Sequence, residues 1–247
     1  MKKHRSWISS TIFSKAFLAK AWEARAELNE YERRGFAQYF YLTVCCHLEA
    51  VLAERIRRRL HLIATSPWEA AGAVTCNIDG NEQECPLDQV IGSIRHIAHQ
   101  MKKEAESAPL SKLLKLYNEV FPEKLASVIG DELYKDVDAL ATLRNIFAHG
   151  RELVLEFEGE DLMNLRGVLE GNPLEKVAAR LVQARVIPST EFHGSDHIEF
   201  LGRFFSDGAM LYFYQVVKSV ESRIEASTTY VPERVWPEVQ DLPELRA

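Results

Sequence analysis

The chain has 247 residues, a formal net charge of −6, 47% hydrophobic residues and 27% charged residues. That is enough apolar material for a sizeable core in one large domain or two small ones, and too much for a disordered chain. The acidic balance excludes nucleic-acid binding through a globally basic surface, although a small site needs only local phosphate neutralisation.

Glycine and proline are sparse, with 12 and 9 copies, which favours long helices over many short strands. The first twenty residues carry Lys2, Lys3, Arg5, Lys15 and Lys20 without an acid. They lack an unbroken apolar segment and read as an amphipathic first helix rather than a signal peptide. From about residue 14 to 63 only Gly35 interrupts a run of good helix formers, predicting one long helix or two nearly collinear ones closed by Pro67. Phe36, Phe40, Val44, Leu48, Val51 and Leu52 recur at helical spacing along its second half. No run approaches the roughly 18 uninterrupted apolar residues of a membrane span, so no membrane partner is expected.

Residues 73–78 and 82–85 flank Asp79, Gly80 and Asn81, a β-hairpin signal around an Asp-Gly turn. Helix is predicted to resume after Pro86, with Asp88 near its cap, and to run to about Ser107. Shorter helices are expected over 110–119 and 122–129. A further helix opens at Asp131 and ends at Gly150, a natural helix stop. Residues 153–157 suggest one short strand, followed by helices over 160–169, 173–185 and 196–227. Pro232, Pro237 and Pro243 punctuate the end. The pattern reads as an all-α domain over residues 1–230, with a hairpin excursion near 73–85 and an acidic, loosely structured tail over 231–247.

The helix from Asp131 carries the chemistry. At about 100° per residue, Leu133, Val137, Leu140, Leu143 and Phe147 form one apolar stripe, and Arg144 falls inside it. A guanidinium cannot shed its charge to escape burial, so Arg144 requires an acid, carbonyls, a partner subunit or an anionic ligand. Asn145 lies four residues before His149, where it can orient the imidazole or select its tautomer. The helix's negative end favours a protonated histidine at 149. Arg144 and His149 are about 140° apart on an ideal helix. One site then needs a deformed last turn or a second subunit.

The segment Arg144-Asn145-Ile146-Phe147-Ala148-His149 resembles the motif of the HEPN superfamily (higher eukaryotes and prokaryotes nucleotide-binding): Arg, a polar residue, three more positions, His. The preceding helix and the Ala-His-Gly ending look like its ribonuclease branches. The resemblance implies a bundle of about four or five helices forming a homodimer at the motif, and RNA cleavage without metal or other cofactor. The 2′-OH attacks the adjacent phosphate and leaves a 2′,3′-cyclic phosphate. On that resemblance His149 is the acid/base group, Arg144 stabilises the developing charge and Asn145 supports the pair. Many such proteins are toxins or abortive-infection effectors, so an antitoxin or regulatory partner is also implied. The alternative is a non-catalytic HEPN-like module that binds RNA, a nucleotide or a protein, with Arg144 bridging helices and His149 capping one.

Glu49, amid Val44, Leu48, Val51 and Leu52, is a candidate counter-ion for Arg144 or a solvent-facing acid at the stripe's edge. Arg55, Arg57, Arg58 and Arg59 cluster near the end of the long helix. Arg55 and Arg58, with Arg151 beyond the motif, are candidates for holding RNA phosphates, against the simpler reading of cations at a helix C-terminus. Four cysteines in a chain this long favour a reducing cytoplasm over a disulfide scaffold. Cys76, Cys85, His96 and His99 allow a zinc site in principle, but the spacer between the cysteines is not the usual short knuckle. A cross-strand apolar pair and surface histidines fit them better. Cys45 and Cys46 read as mid-helix packing residues, and neighbouring His47 points away from them. Gly194 argues against one helix presenting both His193 and His197 to a metal.

Overall fold

The computed structural model describes residues 19–65, 73–78, 81–149, 156–159, 166–191, 193 and 197–227. Residues 19–24 are helical and a 3-10 turn follows at Arg25–Glu27. The chain then breaks at Leu28 and restarts through a capping box. Asn29 Oδ1 accepts from the Glu32 N–H at 3.1 Å, and Glu32 Oε2 accepts from the Asn29 N–H at 2.8 Å. Of the two forms expected for the long helix, the structure takes the broken one, with the break at this box and not at Gly35. Gly35 lies inside the next helix, exposed, with open space where a Cβ would stand.

Helix α1 (Glu30–Thr65) is the axis of the molecule, about 54 Å long at 1.5 Å per residue. Its buried face comprises Ala37, Phe40, Tyr41, Val44, Cys45, His47, Leu48, Leu52, Ile56 and Leu60. By length and composition alone α1 is apolar enough to cross a bilayer, which the search for uninterrupted apolar runs did not bring out. Here its apolar side is covered by helices α2, α3, α5 and α8, defined below.

Strands β1 (Ala73–Ile78) and β2 (Asn81–Pro86) form the expected antiparallel hairpin, with Ile78 opposite Asn81 and Ala73 opposite Pro86. Helices α2 (Leu87–Ala105), α3 (Leu110–Val120) and α4 (Leu125–Ile129) follow, close to expectation. Gly130 adopts φ +86 and ψ 147 and serves at once as the end of α4 and the start of α5 (Asp131–Ala148). Only glycine takes that conformation without strain. Asp131 and Glu132 in the first turn of α5 suit its positive end.

The region after α5 differs from the sequence reading. Residues 166–168 were expected to be helical. Instead β4 (Arg166–Val168) pairs antiparallel with β3 (Glu156–Glu158), Phe157 standing opposite Gly167, so two short strands replace the single one expected. The pairing is non-local, and three residues carry too little propensity to oppose it. Residues 150–155 and 160–165 lie outside the described residues. Helix α6 (Pro173–Gln183) starts at an Asn172 cap, whose Oδ1 accepts from the Leu174 N–H at 2.9 Å, with proline at its first position. The helix expected over 196–227 is two, α7 (His197–Phe204) and α8 (Asp207–Ala226). Ser206 splits them, its Oγ accepting from the Ala209 N–H at 3.2 Å. The positions of Pro67 and of the tail after residue 227 lie outside the described residues.

The result is an all-α fold with, among the described residues, two small antiparallel sheets. One contiguous apolar core runs from Trp22 to Ile224. Helix α6 packs on α5, and α5 packs against both α1 and α8, which also pack on each other.

Candidate active site

The motif occupies the last turn and a half of α5. Val137, Leu140, Leu143 and Ile146 of that helix are buried, while Leu133 and Phe147 are partly buried against the core. Phe147 stacks on Tyr41 of α1, with centroids 5.9 Å apart and planes at 15°, and also meets Phe205 at the α7–α8 corner. Tyr41 is fixed in turn by donating its hydroxyl to the Phe204 carbonyl at 2.5 Å. These rings set the rotation of α5 about its own axis and hence the direction of Arg144, Asn145 and His149.

Arg144 is three-quarters buried, as its position in the stripe requires, and the acid it needs is Glu49 of α1. Arg144 Nε lies 3.5 Å from Glu49 Oε1, with the two side chains 22% and 16% exposed. The geometry is that of an ion pair without an aligned hydrogen bond, so among the described residues the buried Nε–H has no hydrogen-bond acceptor. The same Glu49 Oε1 accepts from the Leu110 backbone N–H at 2.8 Å. Leu110 is the first residue of α3, whose Pro109 cap offers no side-chain acceptor. Glu49 therefore closes the N-terminus of a neighbouring helix, where a carboxylate meets unpaired N–H groups and the positive helix end.

At the other end of the guanidinium, Arg144 Nη1 donates to Asn145 Oδ1 at 3.3 Å. Asn145 and His149 are both exposed and share a face at four-residue spacing. His149 ends α5 with φ −96 and ψ 5 while its N–H still bonds to the Asn145 carbonyl at 3.3 Å. The last turn is thus not deformed, and the roughly 140° between positions 144 and 149 remains. The sequence reading left only a bent turn or a second subunit to join them. The arginine side chain carries its terminal nitrogen onto Asn145, which lies about 40° from position 149 around the helix. Among the described residues the His149 imidazole has no hydrogen-bond or ion-pair partner of its own.

Cys45 and Cys46 part ways, their side chains about 100° apart around the helix. Cys45 is buried packing, but Cys46 is exposed and belongs to the site. Partial burial first, then the Glu49 carboxylate, raise the Cys46 thiol above its ordinary range. The Arg144 cation partly opposes the rise. The signal for this was available in the helical arithmetic, since position 46 lies on the opposite side of the helix from Val44 and Leu48.

The remaining candidates lie elsewhere. Arg55 donates through Nη2 to the Ile224 carbonyl at 3.2 Å and to Ser227 Oγ at 3.4 Å, tying the C-terminus of α8 to α1. Arg58 pairs within its own helix with Glu54 at 2.7 Å, and Arg57 lies 3.6 Å from Glu106. Arg151 and Gly150 lie outside the described residues. His47 is buried with Nε2 3.6 Å from Glu221 Oε2 of α8, a partner that sequence reading did not find. Strand register sets Cys76 opposite Gln83 and Cys85 opposite Val74, so the two cysteines are not directly across from each other. His96 and His99 are exposed on α2. His193 bridges to Arg166 beside β4, and His197 opens α7. Among the described residues no three His, Cys, Asp or Glu side chains group as a metal site.

Compared with known proteins, the chain matches no family model, no curated protein and no solved structure.

Proposed function

We propose that the chain is a metal-independent endoribonuclease of HEPN type, acting as a homodimer in the cytoplasm as a bacterial toxin or phage-defence effector, held in check by an antitoxin or regulatory partner. The observation that carries the reading is the wiring of Arg144. Its guanidinium is anchored on Glu49 and donates to Asn145, the residue one helical turn before the exposed His149. A cation held on Asn145 and an imidazole one helical turn further on suit transphosphorylation if they converge on one phosphate. The 2′ oxygen bonds to phosphorus as the bond to the 5′ oxygen breaks. The imidazole handles the proton taken from the 2′-OH or given to the 5′ oxygen, and the guanidinium meets the charge gathering on the non-bridging oxygens. A homodimer supplies a second His149, so one imidazole can serve as base while the other serves as acid.

The test is RNA cleavage in excess EDTA with analysis of the ends. Wild-type protein is expected to give 2′,3′-cyclic phosphate and 5′-OH termini. His149→Ala and Arg144→Ala are each expected to reduce cleavage by about 100-fold or more while circular dichroism stays unchanged. Cleavage that persists in both variants removes these residues from the mechanism.

One observation favours a second reading. Glu49 already supplies Arg144 with a counter-ion and also caps α3, so the pair has a structural use without any substrate. On this reading the chain is a non-catalytic helical module that binds RNA, a nucleotide or a protein at the same place. It predicts saturable binding without turnover and harmless expression in a host cell, whereas the nuclease is expected to be toxic.

A further inference from the structure

We propose that Glu49 is the positioning residue of this site, holding the Arg144 guanidinium in register and coupling it to the N-terminus of α3 through a single carboxylate. The proposal rests on the nuclease reading for its catalytic consequence and on geometry alone for its structural one.

Glu49 is the only acidic or basic residue other than His47 between Arg34 and Glu54, in the most apolar stretch of α1. A charge in such a place costs desolvation that only specific partners offset. It has two: the Leu110 N–H at 2.8 Å and Arg144 Nε at 3.5 Å. They come from α3 and α5. The carboxylate on α1 thus ties three helices together at the motif. Among the described residues Arg144 has few other constraints: its buried Nε–H has no hydrogen-bond acceptor, and its Nη1 bond runs to the exposed Asn145. Without the charge at 49, the guanidinium keeps only that solvent-side tether and samples orientations away from the His149 face. Electrostatic stabilisation depends on a donor already in place when charge develops, so this loss falls on turnover rather than on substrate affinity.

The variant that separates the roles is Glu49→Gln. It keeps an oxygen for the Leu110 N–H and removes the charge that faces Arg144. Expected is a fall in kcat of about 10- to 100-fold with KM within about twofold. Glu49→Asp, charged but one methylene shorter, is expected to recover part of it. A second readout needs no turnover. Cys46 is exposed, and alkylation by iodoacetamide, located by peptide mass mapping, reports its thiolate fraction. Removing the Glu49 charge is expected to speed Cys46 alkylation at pH 8, and Arg144→Gln is expected to slow it. In the Glu49→Gln, Arg144→Gln double variant the two stability changes are expected not to add.

A wild-type chain that cuts RNA while Glu49→Gln cuts equally fast overturns the positioning role. So does additive stability loss in the double-variant cycle, or Cys46 alkylation unaltered by either substitution. Should Glu49→Gln not fold, the Arg144→Gln alkylation rate alone decides, an unchanged rate overturning the proposal. A wild-type chain that fails to cut RNA, with both other readouts as expected, overturns the nuclease reading and leaves the Glu49–Arg144 coupling standing.

Discussion

Four tyrosines are held protonated by their surroundings. Burial pushes Tyr41 far above its usual value and raises Tyr117 and Tyr214. Tyr212 is raised strongly as well, first by burial and then by donating its hydroxyl to the nearby Asp136 carboxylate at 2.6 Å. A tyrosine whose folded value is raised loses its proton more readily when unfolded. Its contribution to stability is therefore complete below about pH 10 and declines as pH climbs toward the folded value. Urea unfolding monitored from pH 8 to 11 is expected to show a midpoint that holds steady and then falls beyond about pH 10. Ionisation of Tyr41, Tyr117, Tyr212 or Tyr214 with no loss of structure would contradict these environments. At acid pH the sign reverses for Glu132. Bonds from Lys135, Arg180 and Gln183 lower its value to about 2, so its contribution is present above the usual carboxylate range and is lost as pH falls toward 2.

Residues also mark where the sequence was readable. Arg144 on an apolar stripe demanded an acid, and Glu49, odd by its apolar surroundings, supplies it. Nothing local announced that Leu110 would share that carboxylate, or that Asp136 would be buried between Arg180 and Tyr212, because those partners lie far along the chain.

At the scale of elements, the corner at Gly130 sets where α5 begins. A Cβ there would meet Arg223 Nη1 at 3.0 Å, and a residue with a side chain strains at φ +86. Gly130→Ala is expected to cost about 1–3 kcal/mol in urea unfolding. A change within experimental error would mean that the corner relaxes freely. The elements themselves were legible in proportion to how local their signals are. Helical periodicity found α2 to α6, and the Asp-Gly turn found the hairpin. The capping box at Asn29 and Glu32, and the Ser206 cap that splits α7 from α8, use short polar signals that a strong helical pattern on both sides conceals. Strand β4 was misread because its partner β3 decides its state, not its own three residues.

For the whole molecule, the core is one cluster organised around α1, and stability is concentrated there. Leu52 and Phe213 are fully buried, on α1 and α8. Leu52→Ala is expected to cost about 2–5 kcal/mol and Phe213→Ala about 3–5 kcal/mol by thermal or urea unfolding. Losses below about 1 kcal/mol would mean that α1 is not the axis described. The motif could be found in the sequence because it lies within six residues. How Arg144 reaches Asn145 could not, because it depends on side-chain reach and on the packing that fixes the helix. That packing has a mechanical implication. With Phe147 wedged between Tyr41 and Phe205, and Tyr41 latched to the backbone of Phe204, the terminal turn of α5 cannot roll without dragging the α7–α8 elbow along. Anything that levers that elbow would swing the imidazole at 149 through the same arc.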